Sequence, residues 1–234
     1  MPDLQSQRNL TAASCQMLAI LSTARLRYSG FVPKNNDLPY HHGQLREAVL
    51  AAAVAEIEAV GAAGVSMREI ARRAGVSHAA PAHHFGDKAG IFTAIATEGF
   101  RLAADAIGPA ATGRFGFLQG GAAYIAFALA HPGHFEVMFR PDLYRSGDHD
   151  LIAARDAAFQ ILYGSARALL GDDKSDDLTG LVIAGWSLSH GFATLWHTGN
   201  LEGRLGPDPD GIAEQLNSGL TALGQAAQQQ RDHT

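Results

Sequence analysis

Apolar residues along this chain recur every three to four positions, the period of helices that bury one face. Leu45, Val49, Ala52, Ala53, Ile57 and Val60 keep this spacing and predict helix 1 over about 41–60, ended by Gly61 and Gly64. Ser66 opens helix 2, with Glu69 three residues on, the spacing of a capping box. Gly75 stops helix 2, because only glycine enters a left-handed C-terminal cap without strain. Val76 then points inward, and Ser77 caps helix 3 with its hydroxyl. Helix 3 extends to about Phe85, with Pro81 near its first turn, where a missing N–H costs little. Asp87 caps helix 4, which carries Phe92, Ile95 and Phe100 inward and runs to about Ile107.

Gly108, Pro109 and Gly113 mark a boundary. Beyond it the pattern predicts helices at about 114–130, 132–139, 148–170, 175–199 and 210–228. Pro132-Gly133, Pro141 with Gly147, Gly171 and the Gly206 to Pro209 stretch separate them. Leu181, Val182, Trp186, Leu188, Phe192 and Leu195 form a stripe wide enough to be buried on more than one side. Ahead of helix 1, Leu10, Met17, Leu18 and Leu21 predict a short helix at about 9–28, followed by breaks at Gly30, Pro33 and Pro39. That extension stands open between a DNA-contacting arm, a packing helix and a poorly ordered tail. The chain thus divides into 1–38, 39–108 and 109–230.

Alanine is abundant, and no alternation of Val, Ile and Thr marks a strand, so the fold class is all-α. At 47% hydrophobic and 18% charged, the 234 residues have material for an ample core. Cys15 is the single cysteine; with no intrachain partner for it, a cytoplasmic location fits. No apolar run approaches the roughly 20 residues of a membrane span, and the N-terminus does not read as a signal peptide.

Two helices joined by a short glycine-containing turn are the geometry that places a helix in the DNA major groove. The net charge of −5 runs against a DNA partner, but its distribution does not. Residues 1–38 carry +2, residues 39–100 carry −1 and residues 101–234 carry −6. Nearly all the excess acid therefore lies beyond the candidate DNA-binding part. His41, His42, His78, His83 and His84 fall within 39–100, and a nearby phosphate favours the charged form of histidine.

Helix 3 exposes His78, Ala79, Ala82 and His83. Ser77 and His78 lie at its N-terminal end, where backbone N–H groups favour phosphate. Ala79 or Ala82 can meet a thymine methyl, and His78 or His83 can hydrogen-bond a base edge. Ser66 and Arg68 are placed to clamp the backbone, which positions a protein without reading sequence. Phe85 is read as core and His84 as packing beneath the turn.

Trp186 and His190 stand at i, i+4 and share a helix face. One reading makes them the wall and polar handle of an apolar ligand pocket, completed by Phe115, Phe117, Phe135, Met138, Phe139 and Phe159. The other makes Trp186 a core aromatic whose neighbouring histidine bonds a backbone carbonyl. The histidines do not form a metal framework: His83 and His84 are adjacent, only Glu136 lies near His131 and His134, and tetrahedral zinc wants three or four ligands. No metal or cofactor is expected. No nucleophile elbow, phosphate loop or paired carboxylates in apolar context support catalysis, so the chain is read as a non-enzyme.

Two stretches carry a family resemblance: YHHGQLREAVLAAA from Tyr40 and GVSMREIARRAGVSHAAPAHHFGDKAGIF from Gly64. They resemble the DNA-binding domain of the TetR family of transcriptional regulators. The second half is similar to the subgroup with a Trp–His–Gly signature, here Trp186, His190 and Gly191 in GWSLSHG, preceded by YIAFALAHPGHFEVMF from Tyr124. The resemblance implies an N-terminal three-helix helix-turn-helix domain, helix 4 as linker, and a C-terminal helical bundle for ligand binding and dimerisation. It implies Lys88 as a phosphate-binding lysine and helices 175–199 and 210–228 as a homodimer interface. The implied function is a repressor that binds a near-palindromic double-stranded DNA operator and is released by a small, largely apolar or aromatic effector. One position departs: where the family carries an aromatic residue, two before the His84-Phe85 pair, this chain has Ala82. The rival readings are a helical small-molecule-binding protein or enzyme with a relict helix-turn-helix, and a protein-interaction module.

Overall fold

In the computed structural model, residues 42–113, 115–171 and 175–201 are described, with 215, 218 and 219 besides. Among the described residues there are eight α-helices and no strand. They are α1 (His42–Gly64), α2 (Met67–Ala74), α3 (Ala80–Phe85), α4 (Lys88–Ile107), α5 (Gly116–Ala130), α6 (Pro132–Met138), α7 (His149–Leu170) and α8 (Ser175–His197). The expected helices at 9–28 and 210–228 lie outside these residues. The chain divides into two units after Leu45, and everything that follows concerns the unit from Arg46 onward.

The ends of the helices follow from their caps. Ser66, in extended conformation, accepts the Glu69 amide at 3.1 Å and starts α2. Gly75 ends it at φ 67, and the Val76 N–H reaches the Ala71 carbonyl at 3.0 Å. This is the Schellman arrangement, and it needs the left-handed residue glycine supplies. Asp87 and Asp148 cap α4 and α7 by accepting the Gly90 and Leu151 amides. The reciprocal half of the expected capping box is replaced, because the Glu69 carboxylate instead pairs with Arg72.

Two expectations need correction. Ser77 does not cap α3; the capping position is Ala79, without a side-chain hydrogen bond. Starting the helix at Ser77 would have put Pro81 in its interior, where the ring clashes with the carbonyl four residues back. Starting at Ala80 leaves Pro81 in the first turn. Val60 is not in the apolar stripe: α1 kinks at Gly61 (φ 72), and Val60 stands 53% exposed.

Val49, Ala53, Ile57, Ile70 and Phe92 are almost wholly buried in the first half of the unit. Each large side chain there contributes about 1.5–3 kcal/mol by leaving water. Glu56 is buried too, at 5% exposure, and Arg73 satisfies it through Nε (3.0 Å) and Nη2 (2.8 Å). That pair ties α2 to α1. In the second half α4 packs on α5, α6 and α7, and α5 packs on α7 and α8. Helix α4 therefore belongs to both halves. Over Leu178–His197, α8 is long and apolar enough to cross a membrane, which the sequence reading of apolar runs missed because Ser, Thr, Gly and His interrupt the stretch. Val182, Phe192 and Ala193 of this helix are buried within the protein, while most of the stretch is not.

Candidate functional site

The turn and short helix between Gly75 and Gly86 stand on the outside of the protein. Ser77, His78, Ala79, Ala82 and His83 are all exposed. Pro81 and Phe85 hold α3 from beneath, both buried, with His84 half-buried between them. The Arg46 guanidinium lies over the Phe85 ring at 5.1 Å, so α1 also braces this helix. At the far end of α3, Gly90 sits so close that a Cβ there would fall 1.8 Å from the Phe85 carbonyl oxygen. No side chain fits, and α3 and α4 meet at a fixed corner.

The flanking positions are arranged around this helix. Ser66 and Arg68 are exposed at the start of α2. Arg72 and Arg73 are committed to Glu69 and Glu56, which leaves Arg68 as the α2 arginine outside an ion pair among the described residues. Lys88 is half-buried; its Nζ lies 3.4 Å from the Ala63 carbonyl and 5.3 Å from the centre of the Phe92 ring. The ammonium is thus held at the rim by weak contacts rather than sealed in a salt bridge.

The C-terminal half contains an apolar cavity of about 90 Å³, walled by Phe100, Phe117, Tyr124, Phe159, Leu162 and Trp186 among others. For comparison, an apolar cavity of about 150 Å³ takes up benzene. Beside it lies a more open recess of about 480 Å³. Phe100, Met138, Phe139, Phe159 and Trp186 wall both. His190, Arg155, Tyr144 and Ser187 line only the recess.

Of the candidate ligand residues, Met138, Phe139, Phe159 and Trp186 come together on the shared wall, and His190 borders the recess. Phe135 stands behind them, buried, with its ring centre 5.1 Å from that of His190. Phe115 lies outside the lining. It precedes α5 and is 63% exposed.

Tyr124 was not among those candidates, although it heads one of the motifs. Its hydroxyl lies 2.8 Å from Nδ1 of His190. Burial pushes the Tyr124 phenol well above its usual range, with hydrogen bonding from Trp186 opposing. Burial also lowers His190, which favours a neutral imidazole. A neutral imidazole can share this hydrogen bond either by accepting the Tyr124 hydroxyl proton at Nδ1 or by donating from Nδ1 to the phenol oxygen, according to its tautomer. The alternative reading bonds His190 to a backbone carbonyl; its Nδ1 instead meets the Tyr124 hydroxyl, and it is His197 whose Nε2 lies 2.9 Å from the Ala128 oxygen.

Other side chains link the two halves of the unit. Glu136 of α6 accepts the Ala62 amide at 2.7 Å, beside the kink of α1. Arg145 donates to Asp87 at 2.9 Å, and its own amide donates to Thr93 at 3.0 Å. Its neighbour Tyr144 lines the recess and donates to the Met138 carbonyl at 3.0 Å. Among the described residues no cluster of three or more His, Cys, Asp or Glu is placed to hold a metal ion.

Comparison with known proteins bears on the whole arrangement. Residues 49–95 match the family described as bacterial regulatory proteins of the tetR family. Residues 117–220 match the tetracyclin repressor-like C-terminal domain. Together the two matches span more than half of the chain. Among curated proteins none matches. A solved structure of a protein of unknown function from Rhodococcus sp. RHA1 is 31% identical, with a TM-score of 0.62, and the match covers 76% of this chain and 94% of that one. A TetR-family transcriptional regulator from Streptomyces coelicolor is 23% identical, with a TM-score of 0.57 and coverage of 74% and 77%. A TetR-like transcriptional regulator from Rhodococcus sp. RHA1 is 21% identical, with a TM-score of 0.55 and coverage of 78% and 95%. The last two share the fold. With both domain matches in the expected order, and an exposed helix set on a Gly75 turn, the chain belongs to the TetR family of DNA-binding transcriptional regulators.

Proposed function

We propose that the chain is a homodimeric repressor of the Trp–His–Gly subgroup, bound to a near-palindromic operator and released by a small, largely apolar effector. The observation that carries this reading is the pairing of an exposed α3 with an apolar cavity in one unit, joined through α4. On α3 and the turn that leads into it, the methyl groups of Ala79 and Ala82 suit thymine methyls, and His78 and His83 suit base edges. Ala82, in place of the usual aromatic, offers no long side chain to a phosphate, so more of the positioning falls to Ser66, Arg68, Ser77 and Lys88.

The dimer reading rests on α8. Ile183 is 57% exposed there, among the exposed small residues Gly180, Ala184, Ser187 and Thr194. A two-fold dimer would set two copies of α3 about 34–36 Å apart, one turn of DNA. An effector shifts such a protein only by binding one conformation better than the other. A coupling of about 1–3 kcal/mol changes operator affinity about 5–150-fold.

The test is Ala79→Glu, which places a negative charge on the outward face of α3. Specific operator binding in a gel shift is expected to vanish while the dimer stays intact by gel filtration. Unchanged affinity would reject α3 as the reading helix.

A further inference from the structure

We propose that the effector is an anionic amphiphile, with an apolar body along the wall shared by the cavity and the recess and a carboxylate held by Arg155. This rests on the reading of the cavity as the effector site.

The argument starts from α7. Arg155, Ala158, Phe159 and Leu162 stand at i, i+3, i+4 and i+7 and share one face of that helix. Arg155 and Phe159 line the recess, and Ala158, Phe159 and Leu162 line the cavity. One helix face thus runs from a cation to an apolar interior over about 10 Å. The space beside it has the same polarity: charge at one end, aromatic and aliphatic wall at the other.

The other polar groups of the recess do not supply a charge. The Tyr144 hydroxyl is spent on the Met138 carbonyl. His190 shares its Nδ1 hydrogen bond with the Tyr124 hydroxyl. Ser187 is neutral. No carboxylate is among the recess lining. The acid beside Arg155 is its chain neighbour Asp156, whose Oδ1 lies 3.9 Å from Nε, at the limit of an ion pair. The two Nη groups remain for another acceptor. A guanidinium presents a planar fork that matches a carboxylate in two parallel hydrogen bonds. An arginine in the lining of a recess whose other walls are mostly aromatic suits an anion that also carries apolar surface. A free inorganic anion would leave the cavity unfilled.

The full chain is titrated calorimetrically with decanoate and with 1-decanol, which share a tail and differ in the head. Decanoate is expected to bind at least about tenfold tighter, the gain of a charge-assisted bidentate contact. Arg155→Leu keeps an apolar stem and should erase this preference by weakening decanoate far more than decanol. Arg155→Lys should retain part of it. Trp186→Phe should weaken both probes alike. Equal binding of the two probes, or a decanoate preference that survives Arg155→Leu, overturns the carboxylate assignment and leaves the effector cavity standing. If neither probe binds, or Trp186→Phe affects neither, the cavity reading fails and the carboxylate assignment falls with it.

Discussion

Arg145 Nη2 lies 2.9 Å from Oδ1 of Asp87, the same oxygen that accepts the Gly90 amide at 2.9 Å. One carboxylate oxygen therefore caps α4 and receives a guanidinium from the loop after α6. Asp87 follows Gly86, the residue that caps the end of α3, and Tyr144, beside Arg145, lines the recess. One ion pair and one peptide bond thus link the corner behind the exposed helix to the recess.

The Gly90 amide first, and Arg145 after it, hold the Asp87 carboxyl below its ordinary range. The stability gained is present above the unfolded value, about pH 4, and is lost as pH falls through the lower folded value. Asp87→Asn keeps a capping oxygen but removes the charge. Its melting temperature is expected to lie below that of the parent at pH 7, and the gap should close towards pH 3. Arg145→Ala should lower the pH 7 value less than Asp87→Ala does, because an exposed ion pair contributes less than a cap. Thermal melts across pH check both, and a gap that widens on acidification would refute the account.

Lys88 sits where α4 begins, its ammonium steadied by the Ala63 carbonyl and the Phe92 ring. As a phosphate contact it carries no sequence information. Lys88→Ala is expected to weaken binding to all DNA sequences in similar proportion and to reduce the salt slope by about 1. Fluorescence anisotropy at several salt concentrations measures this. A change in operator preference would move Lys88 from the backbone to the bases.

The Tyr124 to His190 hydrogen bond makes a titration prediction. His190 is lowered by burial, so its neutral form belongs to the fold and the unfolded chain binds the extra proton. The corresponding stability is present above about pH 6.5 and is lost as pH falls through the folded value. The imidazole resonances of His190 should titrate below about 6.5 in the parent. A hydroxyl that donates to Nδ1 favours the neutral ring, so in that tautomer Tyr124→Phe should raise the midpoint. A midpoint that stays put would show that the hydroxyl has no part in setting it.

Ile183 tests the proposed dimer. Ile183→Glu puts a charge on an outward apolar position of α8 and removes no core contact. Sedimentation should change from dimer to monomer, with operator affinity falling sharply and helical content unchanged. A dimer that persists would move the interface away from α8.

The helices were legible because their ends carry local chemistry. Ser66, Gly75, Asp87 and Pro132 each punctuate the chain within a few residues of where they act, and the hydrophobic period filled the spans between. The outward positions of α3 could be read for the same reason, since a helix that short has only one covered side. The failures were of two kinds. Ser77 had the chemistry of a cap, but Pro81 dictated the start of the helix. Tyr124 with His190, Glu136 with Ala62 and Arg145 with Asp87 lie 66, 74 and 58 residues apart. No periodicity relates such pairs; only tertiary packing brings them together, that of α5 against α8 in the case of Tyr124 and His190. Arg155 escaped notice because a single arginine on an amphipathic helix looks like an ordinary solvated charge until the recess beside it is seen.

Helix α6 is seven residues long, with Glu136 fastened to the bend of α1 and Met138 forming part of the cavity wall. A rod of two turns has no length over which to flex. Under the proposed effector mechanism, a guest that displaces Met138 would pull on Ala62 through the Glu136 contact as well as on the corner held by Arg145, two separate tethers to the part that meets DNA.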